Sequence, residues 1–140
     1  MINKELSQKF ARDIGLLKEV GINPIVVHGG GPQIEERLKN RNIKSNFVDG
    51  LRVTDKETVK IVEKVLSEDI NQKIVRDIQL SGGKAESFSG NKNYLIEANK
   101  LKISKTVIDS NIKKILDLGF VGQPIKINNK LIEESINKGN

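Results

Sequence analysis

Apolar positions along this chain alternate between helical spacing and short β-branched runs. From about Lys4 to Val20, Leu6, Phe10, Ile14 and Leu17 recur as one face of an amphipathic helix, which Gly21 stops. Pro24 to Val27 follows as a buried strand built on Ile25, Val26 and Val27. Pro32 to about Asn40 reads as a second helix with Ile34 and Leu38 inward, and Pro32 stands where a helix prefers to begin. Asn46 to Val53 is a hairpin, because Asp49-Gly50 between two apolar pairs is a type I′ turn signal. Thr54-Asp55-Lys56-Glu57 has the form of a capping box, Thr54 capping and Glu57 reaching back. The long helix beyond it carries Val59, Val62, Leu66, Ile70, Ile74 and Ile78 on one face and ends before Ser81-Gly82-Gly83. Lys84 to Phe88 and Leu95 to Ala98 are short strand candidates joined through Ser89-Gly90-Asn91. Gly119-Phe120-Val121-Gly122 opens another strand running to Ile127, with Phe120 and Val121 packing. Leu131 to Lys138 is helical. Helices alternating with strands predict an α/β fold with a largely parallel sheet and a β-hairpin excursion.

Val26-Val27-His28-Gly29-Gly30-Gly31-Pro32 carries the candidate chemistry. Glycines let the backbone approach a ligand closely. The helix that follows presents free N–H groups and the positive end of its dipole. A strand, a glycine turn and a helix start therefore suit a phosphoryl group or a carboxylate; the same glycines also serve as a plain tight turn. The dinucleotide fingerprint G-x-G-x-x-G is broken, since Ile34 stands at its third glycine. Asp49 lies at the spacing of a ribose-binding acid, but the Asp49-Gly50 turn explains it locally. No G-x-x-x-x-G-K-[ST] loop occurs. His28 reads as a strand-end hydrogen-bonding residue rather than a catalyst.

Composition narrows the function classes. The 140 residues suit a single domain with a real core, and no apolar run approaches the length needed to cross a membrane. The N-terminus lacks a signal-peptide pattern. The chain has no cysteine, which excludes disulfides and thiolate chemistry, and one histidine, which excludes a histidine-rich metal site. A cytoplasmic location fits. The charge of +6 comes from 24 basic and 18 acidic residues. The lysines are spread along the chain and aromatic residues for base stacking are few, so no nucleic-acid partner is indicated. The positive balance suits anionic small substrates.

Three separated blocks carry a resemblance: Val26 to Ile34, then Phe47-Val48-Asp49-Gly50-Leu51-Arg52-Val53-Thr54-Asp55, then Asp117-Leu118-Gly119-Phe120-Val121-Gly122. Phe10-Ala11-Arg12-Asp13 and Gly21-Ile22-Asn23-Pro24 echo it. In order and spacing the chain resembles the N-acetylglutamate kinases of the amino acid kinase family over essentially its whole length. The resemblance implies a three-layer α/β sandwich with a largely parallel sheet. It implies ATP, with Mg2+, as phosphoryl donor and the γ-carboxylate of N-acetyl-L-glutamate as acceptor, in arginine biosynthesis. Gly30 and Gly31 match family glycines whose backbone N–H groups face the substrate and the transferring phosphoryl, Gly30 as the oxyanion donor. Arg52 matches the arginine that holds the α-carboxylate, a task that suits a planar guanidinium fork. A carboxylate nucleophile is already ionised, so no general base is required, and positioning and charge neutralisation carry the catalysis. A homo-oligomer is implied for the full enzyme.

The departures shape the expectation for residues 1–140 as the N-terminal acyl-substrate-binding domain. The family's first strand, with its Lys-x-Gly-Gly loop, would end just before Met1, and the nucleotide-binding half would follow Asn140. Ser89-Gly90-Asn91-Lys92-Asn93-Tyr94 departs from the family's Lys-Asp-Gly-Asn after Ser-Gly. The chain alone is therefore expected to be inactive and, with an unpaired strand edge, prone to aggregate. Rival readings are a related kinase with another acyl acceptor such as an aminoadipate derivative, a non-catalytic ligand-binding remnant, and, weakest, a Rossmann-type nucleotide protein.

Overall fold

A computed structural model describes residues 4–106 and 113–140; Met1 lies outside them. Helix α1 spans Lys4–Glu19 and α2 spans Gly31–Lys39. Strands β1 (Phe47–Val48) and β2 (Leu51–Arg52) form the hairpin. Helix α3 (Lys56–Glu63) passes through a π-helical stretch, Lys64–Ile70, into α4 (Asn71–Leu80). Strands β3 (Ile96–Thr106) and β4 (Lys113–Ile127) and helix α5 (Asn129–Asn137) complete the order.

The hairpin forms as its turn residues dictate. Asp49 (φ 51°) and Gly50 (φ 79°) both occupy the left-handed region, as a type I′ turn demands. Phe47 faces Arg52 and Val48 faces Leu51. Gly21 (φ 87°) and Gly82 (φ 89°) follow their helices in the same region.

The helix after the hairpin differs from expectation at both its start and its middle. Asp55, not Thr54, is the cap: its Oδ1 accepts from the N–H groups of Glu57 (3.1 Å) and Thr58 (2.7 Å). Thr54 is buried, and its hydroxyl donates to Arg52 O at 2.9 Å. Asn71 N–H reaches back five residues, to Leu66 O, at the end of the π stretch. That wide turn moves the buried row. Thr58 and Ile61 are buried before the π stretch, Val65 and Ile70 within it and Ile78 after it, so one row is broken by a five-residue step from Val65 to Ile70. Of the expected inward face, Ile70 and Ile78 are buried, Val62, Leu66 and Ile74 are half-buried against the core cluster, and Val59, Val62 and Leu66 also border a cavity. Ile34 and Leu38 from α2 meet Ile61, Val65 and Ile70 in the core cluster, where Leu38 is 1% exposed.

The chain is α/β, but its sheets are small and antiparallel: β1 with β2, and β3 with β4 from Ile96↔Ile127 to Thr106↔Lys113. Among the described residues the one parallel pairing is the Thr54↔Gly119 bridge. Thr54 N–H donates to Leu118 O (2.8 Å) and Phe120 N–H to Thr54 O (2.7 Å), which fastens the hairpin to β4. Gly119 is required there, because a Cβ would stand 2.1 Å from Thr54 O at φ +75°. Phe120, expected to pack, is 60% exposed, since the adjoining backbone rather than its side chain makes the contact.

Pro24–Val27 and Lys84–Phe88 are the main correction. Side chains alternate between half-buried and exposed over Pro24–Val27 and over Lys84–Ser87, as strands do, yet neither segment is a strand. No backbone-to-backbone hydrogen bond engages either segment among the described residues. A strand requires a neighbour at its edge, and these segments have none. Of the expected apolar stripe of α1, Leu6, Phe10 and Leu17 are exposed and Ile14 is half-buried, and Ala11 is the helix's buried residue. The helix is tied to α4 by polar contacts, with Ser7 Oγ donating to Asp77 and Lys73 Nζ donating to Ser7 Oγ at 2.9 Å.

Candidate functional site

The glycine turn runs into α2 without a side-chain cap. Gly30 is the N-cap, with φ −166°, extended backbone open to any residue. Its lack of a side chain matters for packing: a Cβ would meet Ile70 Cδ1 and Leu66 Cδ2, each at 2.7 Å. The buried Gly30 thus lets the turn lie against the π-helical stretch. Gly29 and Gly31 have open space where a Cβ would stand. Ile34 N–H donates to Gly30 O at 2.9 Å. Among the described residues no hydrogen bond engages the N–H groups of Gly30, Gly31 or Gln33, and the first turn of α2 holds no acidic side chain. Unused amides at a helix start attract anions. His28 Nδ1 lies 3.2 Å from Gly29 O, a local contact, and the strand it was expected to end is not formed.

Arg52 reaches the same helix from the side. Its Nη1 donates to Glu35 Oε1 (3.2 Å) and Oε2 (3.3 Å) and to Ser45 Oγ. Ser45 Oγ in turn donates to Glu35 Oε2 at 2.6 Å. The guanidinium carbon sits 4.6 Å from the centre of the Phe47 ring. That stacking follows from the hairpin register, which places Phe47 directly opposite Arg52 on one face. The Ser45 hydrogen bond, and then the hydrogen bond and charge of Arg52, hold the Glu35 carboxyl below its usual range. Arg52 is the more enclosed partner, its side chain 14% exposed against 45% for Glu35. Gly31 and Glu35 are four residues apart on α2, about 6 Å along the helix axis. Gly30 and Gly31 stand at the start of α2, and Arg52 meets the same helix at Glu35, its middle residue.

Sequence reasoning missed Glu35 and Ser45. Glu35 reads as an ordinary solvated helix residue, and nothing local ties it to Arg52. The pairing of Phe47 with Arg52 was available from the two-residue turn.

A second region lies behind the glycine turn. A cavity of about 670 Å3 is bordered by Val26, Val62, Leu66, Ala85, Phe88 and Ile136, among others. Asn71 Nδ2 donates to Phe88 O at 3.2 Å, while Asn71 Oδ1 is buried without a partner among the described residues. At the divergent turn, Asn93 and Tyr94 both take φ 54°, and Asn91 Nδ2 donates to Glu63 Oε1 at 2.5 Å. No three histidine, aspartate or glutamate side chains converge among the described residues. No helix among them is long and apolar enough to cross a membrane.

Comparison with known proteins bears directly on this arrangement. The model of the amino acid kinase family matches residues 2–140. The chain is 54% identical to the acetylglutamate kinase of Rhodospirillum centenum (strain ATCC 51521 / SW), over 96% of this chain and 44% of that protein. It is 51% identical to the acetylglutamate kinase of Parvibaculum lavamentivorans, over 95% of this chain and 44% of that one. The chain thus spans less than half the length of these relatives. In fold it is similar to smu.665 from Streptococcus mutans UA159, with a TM-score of 0.75 at 20% identity, covering 96% of this chain and 52% of that one. It is also similar to N-acetylglutamate synthase from Neisseria gonorrhoeae, with a TM-score of 0.71 at 22% identity, covering 99% of this chain and 29% of that one. With three blocks of its sequence, its glycine turn and its match from end to end in agreement, the chain belongs to the amino acid kinase family.

Proposed function

We propose that this chain is the acyl-substrate-binding part of an enzyme that transfers the terminal phosphoryl group of ATP to the γ-carboxylate of N-acetyl-L-glutamate, a step of arginine biosynthesis. The observation that carries the reading is the half-identity, along nearly the whole chain, to proteins named acetylglutamate kinase. Arg52 binds the α-carboxylate of the acceptor. The N–H groups of Gly30 and Gly31 face the γ-carboxylate and the oxygens of the phosphoryl group as charge moves between them. The acceptor carboxylate needs no base to ionise it. The lysine loop, the ATP site and the binding of Mg2+ belong to other parts of the whole enzyme, which works in the cytoplasm as a homo-oligomer. In that whole enzyme Pro24–Val27 and Lys84–Phe88 become strands of the parallel sheet of a three-layer sandwich; their alternating exposure over Pro24–Val27 and Lys84–Ser87, and backbones that make no backbone-to-backbone hydrogen bond among the described residues, support this.

Two measurements test the reading. This chain alone, mixed with ATP, magnesium and N-acetyl-L-glutamate, should release no ADP; measurable turnover would overturn the assignment of the remaining machinery elsewhere. Titration calorimetry should detect N-acetyl-L-glutamate binding, and Arg52→Ala should weaken it by roughly 2–5 kcal/mol, the range for removing one member of a desolvated charge pair. Unchanged affinity would remove Arg52 from the site. Tighter binding of an N-acyl aminoadipate would assign a longer acceptor.

A further inference from the structure

Arg52 is held from one side only. Both Glu35 oxygens and the Ser45 hydroxyl converge on a single nitrogen, Nη1. Among the described residues no hydrogen bond engages Nη2 or Nε. A carboxylate merely occupying a vacant carboxylate site would take the paired geometry, with two parallel bonds to two guanidinium nitrogens. Glu35 does not do so, and it leaves one edge of the fork open. The Phe47 ring covers a face of the same guanidinium at 4.6 Å, which restricts its tilt. Ser45 closes the triangle by donating to Glu35 Oε2 at 2.6 Å, so the carboxylate is itself fixed. The clamp draws on three elements: Glu35 from α2, Ser45 from the loop before β1, and Phe47 from β1. The Glu35 carboxyl, held below its usual range by Ser45 and then Arg52, is ionised at neutral pH.

We infer that Glu35 is a positioning residue: with Ser45 it pins Nη1 of Arg52 and sets the Nη2–Nε edge as a fixed planar fork for the carboxylate of an incoming N-acyl amino acid. The inference rests on the proposed role of Arg52 as the α-carboxylate ligand. Its physical content is pre-organisation. A free arginine loses rotamer freedom when it binds, and a clamped one has already lost it. The clamp also carries a cost, since Glu35 places a negative charge near the incoming one, and the proposal requires the gain in order to exceed that repulsion.

The test is made on this chain with N-acetyl-L-glutamate as ligand. Glu35→Gln should weaken binding about tenfold, the effect of one charge-assisted hydrogen bond on affinity. Ser45→Ala should act in the same direction and more weakly. Both should also free the guanidinium. In 15N spectra the Nη resonances of Arg52 should be resolved by slow rotation about Nε–Cζ in the wild type and averaged in Glu35→Gln, a change that a merely stabilising contact would not produce. Three results decide against the proposal. Undiminished or tighter binding in Glu35→Gln, with Arg52→Ala still losing the ligand, would overturn the clamp and leave the function intact. Averaged Nη resonances in the wild type would overturn it too. Unchanged binding in Arg52→Ala would overturn both the clamp and the reading beneath it. If Glu35→Gln fails to fold, Ser45→Ala carries the same comparison.

Discussion

Two short segments of this chain expected to be strands meet opposite fates. Phe47–Arg52 is a paired hairpin, whereas Ile25–Val27 has no ladder at all among the described residues. Both are apolar and both adjoin glycine. The difference lies in where the pairing partner comes from. The hairpin contains its own second strand across a two-residue turn, so its loop closes at little entropic cost. The Ile25 segment can pair only with residues distant in sequence. It is left with Val27 91% exposed. Strand propensity is therefore a statement about a surface that fits, and it is realised only where a second edge is at hand. The hairpin gains further support from the Thr54–Gly119 bridge, and it is the hairpin that carries Arg52.

Substitutions can break this contrast at its strong side. Gly119→Ala should cost most, about 3–4 kcal/mol, because it combines a left-handed φ with a clash against backbone oxygen; urea unfolding measures it, and a loss below about 1 kcal/mol would mean the bridge is not needed. Leu38→Ala should cost about 3 kcal/mol by opening a cavity in the cluster beneath α2. Gly30→Ala should cost less, about 1–2 kcal/mol, because the new methyl meets side-chain ends of Ile70 and Leu66 that can shift. Its effect on ligand binding should exceed its effect on stability, since it displaces the N–H groups proposed to face the acceptor.

Acid acts on the same elements more gently. Asp55 (through the Thr58 N–H), Asp77 (through Lys73 and Ser7) and Asp117 (through Lys100 and Gly119 N–H) all have carboxyl pKa values below their usual range. A carboxyl with a depressed folded-state value stabilises the fold above its unfolded pKa and loses that contribution as pH falls through the folded one. Melting temperature should therefore be level from pH 7 to about 5 and fall below about 4. Asp55→Ala should flatten part of that fall; a melting temperature that rises in acid would contradict the sign. The smallest effect belongs to the weak side. Val27→Ser should change stability by no more than about 0.5 kcal/mol, as for an isolated exposed position. Amides of Ile25–Val27 should exchange with deuterium far faster than those of α3. Protection equal to that of α3 would show that the segment is paired in solution.

The legible parts of the fold are those where a few adjacent residues decide the outcome. The Asp49-Gly50 turn, the stops at Gly21 and Gly82, Pro32 at the start of α2 and the inward Ile34 and Leu38 all follow from conformational preference and local periodicity. The cap at Asp55 escaped because Thr54 and Asp55 are both competent, and Thr54 is drawn into the bridge to β4. The π turn escaped because two rows of apolar residues run along that helix. Only the packing of α2 decides that Ile61 and Val65 are fully buried while Val62 and Leu66 are half-buried at the edge of the same cluster. In the candidate site, Arg52 and the glycines were named from the family resemblance, while Glu35 and Ser45, which meet Arg52 only in the fold, were not.

The sequence by itself determined the helices, the hairpin, the anion-attracting glycine turn and the family. These rest on interactions within a few residues or on motifs that survive as strings. Tertiary structure alone decided which apolar positions are fully buried, that Ile25–Val27 and Lys84–Phe88 stay unpaired among the described residues, and that Glu35 meets Arg52 across 17 positions. Those outcomes depend on which surfaces come together, and a side chain carries no local mark of the neighbour it will find.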